Sequence, residues 1–143
     1  MREEEMMREI KFRAWDKIDK KIMYVAEMIL RYKGIQGVIL VDKLPSVKVV
    51  KRWHDEVELM QYTGIKDKNG REIYEGDIVK TPFGIGEIFM RLGCWFVENQ
   101  KELGYFESGE IEVVGNVYES SKLLEKGWGN DLGRKRSSKF GVV

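Results

Sequence analysis

Cys94 and His54 are the only thiol and the only imidazole in this chain of 143 residues, and together they are the one pair that could run thiol-based nucleophilic catalysis. That chemistry needs a base within hydrogen-bond reach of the sulfur and a third group to orient it. The two lie about forty positions apart, with no orienting or oxyanion motif beside either. We therefore read His54 as a surface residue and Cys94, set between Gly93 and Trp95-Phe96, as a buried strand thiol. One Cys and one His also fall short of the roughly four ligands of a structural zinc site, and a single Cys excludes an internal disulfide. Glu72, Glu75 and Asp77 could form a carboxylate pair for acid-base work, but an Asp after a Gly more often binds local backbone donors. Asp67-Lys68-Asn69-Gly70 has the oxygen donors of a cation loop, yet Lys66 and Lys68 surround it with positive charge and the further ligands are missing. Gly84-Ile85-Gly86 lacks the continuation of a phosphate-binding loop. No catalytic residue, cofactor or metal is expected, and the chain reads as a non-enzyme.

Binding chemistry is better represented. Cations alternate with aromatic rings at Phe12-Arg13-Ala14-Trp15, Lys51-Arg52-Trp53 and Phe89-Met90-Arg91, a composition able to stack bases and neutralise phosphates. A chain of this size also needs Trp15, Phe89, Trp95 and Phe96 to fill its cores. The last residues hold both kinds of group. Arg134, Lys135, Arg136 and Lys139 against Asp131 give residues 127–143 a charge of +3 and leave the remainder at −2. These cations are the candidate nucleic-acid contacts, and Trp128, Phe140, Val142 and Val143 are candidate assembly contacts.

These residues must be held by a fold that the composition can support. Forty-three per cent hydrophobic residues with four Trp, six Tyr and six Phe are enough for a buried core, so the chain should fold. A net charge of +1 gives no overall electrostatic drive toward nucleic acid or an anionic membrane. No apolar run approaches the roughly 18 residues of a membrane span. The acidic start at Glu3-Glu4-Glu5 is not that of a signal peptide, so a cytoplasmic protein is expected.

Ile10, Phe12 and Ala14 alternate with charged or bulky neighbours, which predicts a strand. Residues 16–32 fit either a hairpin or a helix carrying Ile18, Ile22, Val25 and Ile29 on one face. Val38 to Val41 and Val47 to Arg52 read as peripheral strands of weak register, and Arg52-Trp53-His54-Asp55-Glu56 as a seam. From Val57 onward, Gly-rich turns separate short apolar runs, as in a small barrel or strongly curved sheet. Within it Asn69-Gly70 predicts a hairpin turn with positive φ at Gly70. The turn at Glu75-Gly76-Asp77 should send Ile78 and Val79 to opposite faces, and Gly86 should permit a bend. Ser120-Ser121 caps a short helix ending near Gly127.

The twenty residues from Met60 to Val79, reading MQYTGIKDKNGREIYEGDIV, are the most informative of all. With Met7 to Asp16 and with Ile111-Glu112-Val113-Val114-Gly115-Asn116-Val117-Tyr118-Glu119, this stretch resembles the YopX family of small proteins encoded by bacteriophages and prophages. The resemblance covers most of the chain, is thin from Tyr32 to Asp55, and leaves Met1 to Met6 as an alternative initiation site or short extension. It implies a hairpin in residues 16–32 and a family whose biochemical role is obscure. Together these readings give a mainly β protein. An N-terminal strand and hairpin module (1–56) packs with an SH3-like small β-barrel (57–126) that has a short helix near its end, followed by a basic tail (127–143). Its expected partner is another protein or further copies of itself, with nucleic acid as the alternative and no small-molecule substrate.

Overall fold

In the computed structural model, residues 9–42 and 48–127 are described, the last three by backbone alone. They form antiparallel strands, with one short α-helix, and divide into two compact units between Gly64 and Ile65.

The first unit holds β1 (Phe12–Asp16), β2 (Lys21–Arg31), β3 (Gly34–Val41), β4 (Val49–Trp53) and most of β5 (Val57–Lys66), in the spatial order β4-β3-β2-β1-β5. Residues 16–32 are thus strand and turn. The chain reverses after Asp16 with Lys20 in the left-handed region, φ 56°. Side-chain alternation places Ala14, Met23, Val38, Leu40 and Val57 in one core, with Val25, Met28, Val50 and Leu59 packed on it. Register is firmer here than the sequence predicts. β3 and β4 pair without interruption from Gly37↔Trp53 to Val41↔Val49. A Cβ on Gly37 would lie 3.1 Å from the Arg52 carbonyl oxygen, so this strand approach itself selects glycine.

β5 continues past the division, and β6 (Glu72–Tyr74) is its neighbour in the sheet. The second unit is built on β7 (Asp77–Thr81), β8 (Gly84–Arg91), β9 (Cys94–Val97) and β10 (Glu112–Asn116), ordered β10-β7-β8-β9. This sheet is open: among the described residues no strand pairing closes it into a barrel. One face carries Val79, Ile88, Val97 and Val113 into a core completed by Ile73, Leu103, Phe106 and Ile111. The other carries Ile78 against Val117 and against Leu124 of α1 (Lys122–Gly127). Ile78 and Val79 therefore do diverge to opposite cores, as the turn at Gly76 implies. Gly86 is also constrained by its neighbours. A Cβ there would meet Val97 Cγ1 at 2.8 Å and the Glu98 carbonyl oxygen at 2.9 Å, so the position needs close approach.

Candidate docking surface

Two carboxylates anchor the frame. Asp67 is buried in the turn before β6, where its Oδ1 accepts the backbone N–H groups of Asn69 and Arg71, each at 2.9 Å. Its Oδ2 accepts the N–H of Val113, also at 2.9 Å, so one side chain ties the turn to β10. Burial pushes this carboxyl up, but the three backbone donors outweigh it and hold it below its ordinary value. The same turn closes through Gly70 N–H donating to the Asp67 carbonyl, and Gly70 has the expected positive φ, 81°. Asp67-Lys68-Asn69-Gly70 is thus a hairpin turn whose acid is spent on its own backbone.

In the first unit Asp16 plays the matching part. Fully buried, its Oδ1 accepts Arg52 Nε at 2.9 Å and the N–H of Ile18 at 3.0 Å. Burial raises this carboxyl too, and the arginine with the backbone donors brings it back below the usual value. Arg52 Nη2 also reaches Asp19 Oδ2 at 3.2 Å, which Lys48 approaches at the same distance. The sequence reading weighed Asp67 only as a donor in a cation loop and gave Asp16 no role. The only signal for them was local: Asp followed by turn residues, where a short carboxylate can turn back onto the backbone.

The residues singled out for catalysis are divided between the two units. His54 is exposed at the end of β4 and belongs to the first unit, whereas Cys94 belongs to the second. Cys94 is exposed and not buried, which corrects its reading as an interior thiol: it sits beside the β8–β9 turn, opposite Arg91, where the sheet runs out past its core. Asp77 is buried and accepts the Tyr74 N–H at 2.8 Å, while Glu72 accepts the Tyr74 hydroxyl at 3.1 Å. These are turn and strand contacts. Among the described residues no group of three or more His, Cys, Asp or Glu could hold a metal ion. Trp128, Arg134, Lys135, Arg136, Lys139, Phe140, Val142 and Val143 lie outside the described residues.

What the structure does gather is exposed aromatic surface. At one end of the first unit's sheet, Tyr32 on the β2–β3 turn is 94% exposed, with Leu30 before it and Trp53, 51% exposed, at the end of the edge strand β4. Arg31, Lys33, Gln36 and His54 surround an open cleft of about 600 Å³ beside them. Arg31 Nε donates to Gln36 Oε1 at 2.7 Å, which fixes one wall. Lys51 stands 4.7 Å from the Trp53 ring and Lys33 5.8 Å from that of Tyr32, so cations cover the rings without burying them. The edge is partly guarded. The Trp53 N–H donates to Glu56 Oε1 at 2.9 Å, and Arg52 Nη1 donates to the Lys51 carbonyl at 3.2 Å.

In the second unit Phe89 and Phe96 are half-buried and stack at 6.0 Å on the sheet face opposite Ile88 and Val97. Only Trp95, on the other face, packs against the core. At the tip of this hairpin Leu92 is 92% exposed with φ 52°, a conformation that costs a non-glycine residue about 1 kcal/mol.

Open antiparallel sheets with one short helix define a small, mainly β protein. The model of the YopX family, described as YopX protein, matches residues 11–125. The chain belongs to that family. It is similar in structure to protein EF1440 from Enterococcus faecalis, at 26% identity and a TM-score of 0.64, over 83% of this chain and all of that one. It also shares its fold with protein yopX from Bacillus subtilis, at 23% identity and a TM-score of 0.54, with the same coverage of each chain. Among curated proteins no relative matches. Among the described residues no helix is long and apolar enough to cross a membrane.

Proposed function

We propose that this chain is a non-catalytic protein-binding module, phage or prophage encoded and acting in the cytoplasm of a bacterial host, with an SH3-like second unit. The observation that carries this reading is the exposure of Tyr32 and Trp53 at one end of the first sheet. A large aromatic side chain in water contributes little to folding, whereas the same ring seated in a partner buries about 150–250 Å². Tyr and Trp are also the residues on which interface energy concentrates. Arg31, Lys33 and Lys51 beside them suit a partner with acidic groups around an apolar centre.

The test is capture of binding proteins from phage-infected or prophage-induced cells, with and without nuclease, using the intact chain and a Tyr32→Ala/Trp53→Ala variant. Partners retained after nuclease by the intact chain and lost by the folded variant are the expected result. Equal retention by both would remove this surface from the function.

A second reading has its own support in Lys33 over Tyr32 and Lys51 over Trp53. A ring paired with a cation is the pattern on which single-stranded bases stack while their phosphates are neutralised. In that reading Arg134, Lys135, Arg136 and Lys139 extend the contact. Nuclease would then abolish capture, and retention on single-stranded DNA would fall steeply with salt.

A further inference from the structure

The cleft beside Tyr32 differs from the rest of the first unit in how its charges are answered. Elsewhere in that unit cations meet carboxylates: Lys17 stands 3.2 Å from Glu58, Lys48 3.2 Å from Asp19 and Arg52 2.9 Å from Asp16. Arg31, Lys33, Gln36 and His54 line the cleft of about 600 Å³, and its lining holds no carboxylate. Among the described residues no ion pair joins Arg31 or Lys33 to an acid. The acids that follow His54 in its helical turn, Asp55 and Glu56, stand outside the lining, and Glu56 Oε1 is bound to the Trp53 N–H.

The strand register brings these donors together. β2 and β3 pair as far as Arg31↔Gly34, which leaves Tyr32 and Lys33 as a two-residue tip. Gly37 lies opposite Trp53, so the residues next to them, Gln36 and His54, reach the same cleft. Arg31 Nε donates to Gln36 Oε1 at 2.7 Å. That bond holds the guanidinium plane and leaves both Nη groups to donate, while the Gln36 NH₂ and the imidazole add N–H donors of their own. A guanidinium fork held in this way matches two oxygens of one oxyanion.

We propose that the cleft is a phosphate site that takes a phosphorylated side chain of the protein partner, a refinement that rests on the docking reading of Tyr32 and Trp53. Charge selects the ligand. Arg31 and Lys33 bring two positive charges to a lining without an acid. A phosphate monoester carries about −1.5 to −2 near neutral pH and offers three acceptor oxygens. A carboxylate, or the phosphodiester of a nucleic acid, brings a single negative charge and leaves one cation unmatched. Tyr32, exposed at the mouth, offers its ring to the apolar part of the same side chain.

Phenyl phosphate is the probe, titrated into the intact chain at about pH 7.5, where it is chiefly a dianion. The Arg31 Nε–H and Trp53 indole resonances should shift saturably. Phenyl phosphate should bind about tenfold more tightly than benzoate or methyl phenyl phosphate, the worth of one further charge-assisted hydrogen bond. Arg31→Lys keeps the charge but loses the fork, and should lose that preference while its melting temperature stays unchanged. Equal affinity for the three probes, or a titration that leaves Arg31 unmoved, would overturn the proposal. Phosphatase treatment of the cell lysate separates this site from the docking reading. Partners captured by the intact chain should be lost after phosphatase. Partners kept after phosphatase yet lost by Tyr32→Ala/Trp53→Ala would overturn the phosphate site and leave the docking surface standing.

Discussion

Asp67 shows how much one side chain can be asked to hold. Its Oδ1 serves two N–H groups and its Oδ2 serves a third. In Asp67→Asn a single oxygen remains for the pair, and the new NH₂ group faces the Val113 N–H, donor against donor. The loss should be about 1–3 kcal/mol, read as a lower midpoint in urea. The sign of the pH dependence follows from the same contacts. Asp67 and Asp16 lie below their ordinary values when folded, so in acid the unfolded chain binds more protons and stability rises with pH. Their contribution should be complete above about pH 4 and be lost as pH falls through the folded values. Thermal melts from pH 7 to pH 3 should show this limb, shallower in Asp67→Asn. Gly70 is a simpler case. With φ at 81° and open space where a Cβ would go, Gly70→Val meets no neighbour and loses only backbone comfort, about 1–2 kcal/mol. The turn itself was legible in the sequence because Asn-Gly has a local conformational cause. Asp67's reach to Val113 was not, since that partner lies 46 positions away and only the tertiary pairing brings it close.

Strands and hairpins were read well where alternation and turn residues agreed, as in β1, β2 and the divergence of Ile78 from Val79. They were misread where an element passes beyond its core. Cys94 has the composition of an interior strand, but β8 and β9 run on past Ile88 and Val97 to an exposed turn, and Cys94 sits beside it. Hydrophobic pattern records which residues could be buried; it does not record where the covering layer stops. Gly86 and Leu92 test the hairpin at its two ends. Gly86→Ala puts a methyl group 2.9 Å from a backbone oxygen that cannot move without the strand, and should cost about 1–3 kcal/mol. Leu92→Asn keeps the turn but replaces a residue that resists positive φ with one that tolerates it. It should stabilise the chain by about 1 kcal/mol, seen as a raised melting temperature. A gain there would mean that Leu92 persists at the tip for a reason other than folding.

At the scale of the whole molecule the decisive quantity is charge, because the two binding readings make opposite demands on it. A chain at +1 has no general attraction for polyanions, and its positive charge is concentrated in residues 127–143. If Arg134, Lys135, Arg136 and Lys139 each neutralised a phosphate, the logarithm of affinity for single-stranded DNA would fall with the logarithm of salt at a slope near −3, since each contact contributes about −0.7. If the chain instead binds a protein through Tyr32 and Trp53, retention of the intact chain on single-stranded DNA should be weak, with a slope well short of that value. A slope near −3 in the unaltered chain would favour the nucleic-acid reading over the protein-binding one.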